Sequence, residues 1–174
     1  MSSSRTPTEL TFRLESADWS LVLEKDVVLF LTGQTQRGFT SQERIGQLYS
    51  RDLSASRLVV SAATKLEPRR SSYASVTIDV QRMATERRAQ FDCGLHFVGL
   101  WHTHPEPRPV PSELDRRLAA DHAAAASDLL TGIVFIIVGN LRTPESLRVW
   151  VQESGLPKAT QRSRLLQLRQ VPTD

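Results

Sequence analysis

One cysteine, Cys93, stands in a chain of 174 residues. A single thiol excludes an intramolecular disulfide and points to a reducing, cytoplasmic setting. No apolar run approaches the roughly 20 residues a membrane helix needs. The opening MSSSRTPTEL has no apolar stretch of the kind a secretory signal carries. Aromatic residues are scarce, at 6%. That scarcity argues against nucleic acid as partner, because single-strand and base recognition lean on aromatic side chains set among basic ones. The net charge of +3 does not reverse the argument. Its arginines are scattered in pairs, Arg69/Arg70, Arg87/Arg88 and Arg116/Arg117, and read as solvated faces and loops. A partner with an acidic patch stays open.

What is present is ordinary globular material: 40% hydrophobic and 24% charged residues, enough length for one domain with a buried core, and no internal repeat. Residues 1–8 are small and polar and predict a disordered start. Leu10 to Leu14 alternates as a short strand. Residues 20–33 are dense in Leu, Val and Phe, end at Gly33 and predict a buried helix. A turn-rich loop, TGQTQRGFTSQ, follows. Ile45, Leu48 and Tyr49 mark one strand and residues 58–63 another. A polar loop holds Pro68, Arg69 and Arg70, and Val76 and Ile78 suggest a brief strand. Asp79 can cap a helix with Val80, Met83, Ala84 and Phe91 as its apolar face. Residues 97–101 form an apolar strand, Ser112 opens a third helix through the alanines at 123–126, and residues 133–138 read as a buried strand. Leu147, Val149 and Val151 alternate as a half-buried strand. The tail QRSRLLQLRQ predicts a short amphipathic helix or a docking segment. Strands and helices mix without clean βαβ alternation, so the fold class is α+β with a mixed sheet.

The chemistry concentrates in HTHPEPRPVPSELD, residues 102–115. Side chains two apart on a strand share a side. His102 and His104, at the end of strand 97–101, can therefore close together on one zinc ion, and catalytic zinc commonly takes three protein ligands and keeps one position open. Asp115 can be the third ligand if the helix start packs beside the strand end. Ser112-x-x-Asp115 also has the form of a capping box, and Pro105, Pro107, Pro109 and Pro111 fit an extended loop. Cys93 lacks an activating pattern and reads as a buried thiol. His122 reads most simply as a surface residue, with a place behind the ligands as the alternative, and Glu106, between two prolines, as a rim residue. Trp101 is expected to pack beneath the site.

This stretch resembles the zinc site of the JAMM family, the JAB or MPN+ domains. That family also carries an upstream strand glutamate with glycine three residues on and an aliphatic residue two further; Glu43, Gly46 and Leu48 match, while Ser50 stands where glycine is common. The resemblance spans roughly residues 10–152. It implies an MPN/JAB fold, a curved mixed sheet flanked by helices and similar to cytidine deaminases, over residues 9–155, with 156–174 as a tail. It implies one zinc held by His102, His104 and Asp115, which would make hydroxide available at neutral pH. Glu43 is implied as general base, and Ser112 as a donor to the developing oxyanion, beside its role as helix cap.

The implied activity is hydrolysis of an amide or isopeptide bond after the C-terminal tail of a ubiquitin-like protein. The tail would be docked by strand addition, with residues 71–78 as the edge and Arg69 and Arg70 beside it. Compact size and the wording WHTHPEP resemble bacterial JAB proteins, including those of CBASS antiphage systems that remove conjugates made by an E1–E2-like enzyme from a nucleotidyltransferase. Two alternatives stay open: a JAB peptidase processing a sulfur-carrier ubiquitin-like protein, and a non-enzymatic RadC-like zinc module.

Overall fold

A computed structural model describes residues 8–35, 43–67, 79–141, 143–154 and 164–172 of the chain. Two mixed sheets and three α-helices make up the architecture of these residues, in agreement with the α+β expectation. In the first sheet β1 (Leu10–Arg13) turns Leu10 and Phe12 inward and pairs antiparallel with β2 (Ser20–Leu23). Here the structure corrects the single helix predicted over residues 20–33. The run starts as β2, and only its second half is helical, α1 (Lys25–Gly33). All four residues of β2 are buried. A strand covered on both sides reads as a continuous apolar run and cannot be told from a buried helix by periodicity.

Residues 58–63, expected as one strand, are two. β4 (Arg57–Val60) lies parallel to β2 in the first sheet. β5 (Ala62–Ala63) pairs with β3 (Ile45–Ser50) in the second. The chain changes sheets at Ser61, whose N–H donates to Tyr49 O at 2.9 Å.

The second sheet runs β5-β3-β6-β7-β8-β9, with β6 (His96–Thr103), β7 (Gly132–Val138), β8 (Leu147–Glu153) and β9 (Leu165–Gln167). The tail is therefore not a helix where it is described. β9 pairs with the edge of β8, and β10 (Arg169–Gln170) pairs with β1, so the tail bridges both sheets. Leu168 between them is buried. The open backbone groups of an edge strand are a ready template for such pairing. The expectations for residues 1–7, the loop residues 36–42, the segment 68–78 with its docking edge, and residues 155–163 lie outside the described residues.

α2 (Val80–Asp92) begins at Asp79, whose carboxylate accepts from Arg82 N at 3.1 Å. Its expected apolar face is not one: Met83 is buried, but Val80 and Phe91 are exposed. Besides Met83, the helix meets the sheet through polar groups. Glu86 Oε1 accepts from Gln47 Nε2 at 3.1 Å and from Tyr49 OH at 2.9 Å, and also from Thr64 Oγ1. The Arg87 guanidinium carbon lies 3.6 Å from the centre of the Phe97 ring. Cys93, expected to be buried, is exposed. It sits at the C-cap of α2, just before Gly94 turns the chain with φ +73°.

The two sides of the second sheet carry separate cores. One gathers Val98, Trp101, Val134 and Ile136 with α1 and the first sheet. The other gathers Leu100, Phe135, Ile137 and Trp150 with Met83 of α2 and Ala119. Ala119 belongs to α3 (Glu113–Ala125), the crossover between β6 and β7. No helix among the described residues is long and apolar enough to cross a membrane.

Candidate metal centre

β6 and β7 are parallel, so the chain must return from the end of one to the start of the other. The returning helix α3 consequently begins beside the C-terminal end of β6. In open α/β sheets, clefts at the carboxyl ends of strands are the usual place for a site. β3 is antiparallel to β6, with Ile45 opposite His102, so the residues just before Ile45 reach the same end. Arg44 and Thr103 fasten that corner: Thr103 N donates to Arg44 O at 2.9 Å, and Arg44 N donates to Thr103 Oγ1 at 3.0 Å. Glu43 is thereby carried to the histidines from some sixty residues away in sequence.

The side each residue of β6 faces is set by an irregularity. Leu48 pairs with Gly99 and Tyr49 with Phe97, which leaves Val98 as the extra residue of a bulge. Beyond it Leu100 and His102 face α3, and Trp101 faces the opposite core. Trp101 is fully buried there, its Nε1 donating to Thr64 O at 2.8 Å. It packs behind the strand, as expected. The His102 ring rests on Phe135 of β7 at 5.1 Å between centres.

Four side chains expected to act together do converge. One donor atom from each of Glu43, His102, His104 and Asp115 lies within 4.8 Å of all the others. His102 Nε2 stands 3.1 Å from Asp115 Oδ1 and 3.7 Å from Glu43 Oε1, and His104 Nε2 stands 3.4 Å from Asp115 Oδ2. The two Nε2 atoms are 3.0 Å apart. Donors at about 2.0–2.1 Å from a tetrahedral zinc sit roughly 3.3 Å from one another. The spacing of the two imidazoles and the carboxylate fits such an ion. The donor chemistry fits too, since two ring nitrogens facing each other gain more from a shared cation than from each other.

Ser112 is the N-cap of α3. Its N–H donates to Asp115 Oδ2 at 2.7 Å and its Oγ accepts from Asp115 N at 3.2 Å, the capping box seen in the sequence. Burial alone would push the Asp115 carboxyl up. The hydrogen bonds to His102 and His104 and from Ser112 outweigh it and hold Asp115 well below the usual carboxylate range. The hydrogen bond with Asp115 raises His104 against the opposing effect of burial. Glu43 is raised by burial, with the two histidines pulling the other way.

The sequence reading missed one participant. Glu106 is exposed, as a rim residue would be, yet its Oε2 lies 3.3 Å from His104 Nδ1. A signal was available: prolines at 105 and 107 restrict the backbone on both sides of Glu106, right beside the second histidine. His122 is half-buried rather than a plain surface residue. It lies two turns along α3 from Asp115, near Arg87 of α2.

The chain is 26% identical over 134 residues to a protein of Enterobacter hormaechei subsp. hoffmannii (strain UCI 50) named CD-NTase/cGAS isopeptidase. That match covers 75% of this chain and 73% of the relative. The fold resembles the solution structure of protein DSY2949 from Desulfitobacterium hafniense, with a TM-score of 0.55, 17% identity, and coverage of 86% of this chain and 88% of that one. A family model described as prokaryotic homologs of the JAB domain matches residues 34–152, a span that includes Glu43, His102, His104, Ser112 and Asp115. With most of its length matched to that model, the chain belongs to the prokaryotic homologs of the JAB domain.

Proposed function

We propose that the chain is a zinc-dependent isopeptidase, and that it cleaves after the C-terminal tail of a ubiquitin-like protein or of a conjugate made by an E1–E2-like enzyme. A CBASS nucleotidyltransferase is the proposed conjugated partner; the name of the Enterobacter relative, CD-NTase/cGAS isopeptidase, supports that narrower assignment. The convergence of Glu43, His102, His104 and Asp115 at one strand end carries the reading.

His102, His104 and Asp115 would hold the ion. Bound zinc supplies Lewis acidity and makes a hydroxide nucleophile available near neutral pH. Glu43 is the most exposed of the four, and only its carboxylate end reaches into the cluster. It takes a proton from the attacking water as oxygen bonds to the carbonyl carbon, then delivers that proton to the amine as the C–N bond breaks. Ser112 Oγ accepts from Asp115 N and keeps its own hydrogen for the carbonyl oxygen, where charge develops.

The test uses the full chain and a fusion that joins a ubiquitin-like tail to an amine-bearing reporter. The expected result is cleavage after the tail, abolished by a chelator, restored by zinc and untouched by thiol-blocking reagents. Glu43→Gln should lower kcat by ~10²–10⁴-fold with one zinc per chain retained. Undiminished cleavage by zinc-loaded Glu43→Gln would remove Glu43 from the mechanism.

A further inference from the structure

His102 and His104 are held in different ways. His102 lies within β6, is buried, and has Phe135 beneath its ring. Its Nδ1 has no hydrogen-bond partner among the described residues. His104 lies one residue beyond the end of β6 and is more open. Its backbone N–H still donates to Val138 O at 2.9 Å, but no aromatic wall other than the His102 ring restrains its imidazole among the described residues. Something else has to fix which way that ring points.

The loop after His104 supplies it. Glu106 Oε2 is 3.3 Å from His104 Nδ1. The backbone that carries Glu106 is fastened to the turn after β7. Asn140 N donates to Glu106 O at 2.9 Å, and Asn140 Nδ2 donates to Pro105 O. The loop also lies directly on Gly139: a Cβ there would come within 2.7 Å of Glu106 O and 2.8 Å of Pro107 O. The flanking prolines restrict the backbone further. An exposed carboxylate is thus mounted on a backbone with little freedom, and its head is turned back toward the imidazole.

We propose that Glu106 is the positioning residue of His104: it accepts the Nδ1 hydrogen and so keeps Nε2 turned to the metal as a lone-pair donor. The proposal rests on the zinc reading above and deepens it. Carboxylate partners of ligand histidines fix the tautomer and ring orientation, and losing one typically weakens metal binding ~10–100-fold. Asn140 and Gly139, remote from the ion, act through the loop they hold.

The test measures zinc affinity of the full chain by competition with a chromophoric chelator, for wild type, Glu106→Ala and Glu106→Gln. The side chain is exposed, so neither variant threatens folding. Glu106→Ala should bind zinc about tenfold more weakly or worse. Glu106→Gln should recover part of the loss, because its amide oxygen accepts the same hydrogen. In the zinc-loaded protein the His104 Hδ1 proton should give an NMR signal protected from exchange, which Glu106→Ala loses. Wild-type affinity in Glu106→Ala, or a Gln variant no better than Ala, overturns the assignment of Glu106 and leaves the zinc site standing. A wild-type chain that takes up no zinc overturns both.

Discussion

Ser112 and Asp115 exchange hydrogen bonds: Ser112 N donates to Asp115 Oδ2 at 2.7 Å, and Asp115 N donates to Ser112 Oγ at 3.2 Å. The pair caps the start of α3 and aims the Asp115 carboxylate at the two histidines in one arrangement. Asp115 Oδ2, fixed by the Ser112 N–H, faces His104, and this leaves Oδ1 toward His102 at 3.1 Å. The two explanations open for Ser-x-x-Asp, helix cap and chemical site, describe the same atoms.

That double duty separates under substitution. Ser112→Ala removes the cap acceptor and should cost about 1 kcal/mol of stability, whereas Ser112→Gly should cost only a few tenths. If the hydroxyl also donates to the carbonyl oxygen, both variants should lose kcat by about 10²–10³-fold. Urea denaturation alongside steady-state kinetics checks this. Activity that tracks stability, with Ser112→Gly nearly wild type, would reduce Ser112 to a cap.

Gly99 lets β6 and β7 approach. A Cβ at that position would lie 1.9 Å from Val134 O, inside the backbone of the neighbouring strand. Gly99→Ala has no flexible group to displace, so the parallel pair must separate. Overpacking of this kind costs ~1–3 kcal/mol and occasionally more. Because His102 lies three residues on and opposite Ile137, zinc content should fall along with the thermal midpoint. A variant with unchanged midpoint and full zinc would show that the strands yield there at no cost.

Much of the site was legible because its parts sit where simple periodicities act. His102 and His104 follow from the two-residue repeat of a strand, and Asp115 from a cap. Glu43 was legible only through resemblance: its approach depends on the antiparallel pairing of β3 with β6, a contact across some sixty residues that no local pattern encodes. The misreadings share a cause. Residues 20–23 are buried on both faces and so lose the alternation that marks a strand. Residues 165–170 owe their strands to a partner edge on β8 and β1, which a local reading of the tail does not contain. The apolar residues of α2 fall at helical spacing, but of them only Met83 is buried against the sheet, and Glu86 and Arg87 make the rest of its contact.

That polar contact is itself testable. Glu86 Oε1 gathers hydrogen bonds from Gln47, Tyr49 and Thr64, on β3 and just past β5. Burial, and then the neighbouring Glu86 carboxylate, push the Tyr49 hydroxyl far above its usual range, which keeps it a protonated donor. Hydrogen bonds to charged groups are worth about 1.5–3 kcal/mol. Tyr49→Phe should therefore lose stability within that range, and a double-mutant cycle with Glu86→Ala should show coupling of ~0.5–3 kcal/mol. Zinc content should be unchanged, because the network faces α2 and not the cluster. Additive losses would mean that the two residues do not share a network.

His122 should give the chain a stability response to acid that is independent of the candidate metal cluster. Burial, and then the charge of Arg87, lower its pKa, with Asp121 opposing. A histidine with a depressed folded-state pKa binds its proton more readily when unfolded. Between the folded and unfolded values the unfolded chain holds more protons, so stability rises with pH across that window and falls as pH drops through about 6.5, the unfolded value. His122→Gln removes the titrating group and keeps a side chain of similar length. The wild type should therefore lose more of its thermal midpoint than His122→Gln between pH 7.5 and 5.5, by about 2–4 °C for each kcal/mol of linkage. Every other group is common to both proteins and cancels in the difference. Parallel midpoint curves would mean that the imidazole keeps its ordinary pKa between α2 and α3, and that Arg87 directs its charge elsewhere, into Gln47 and the Phe97 ring.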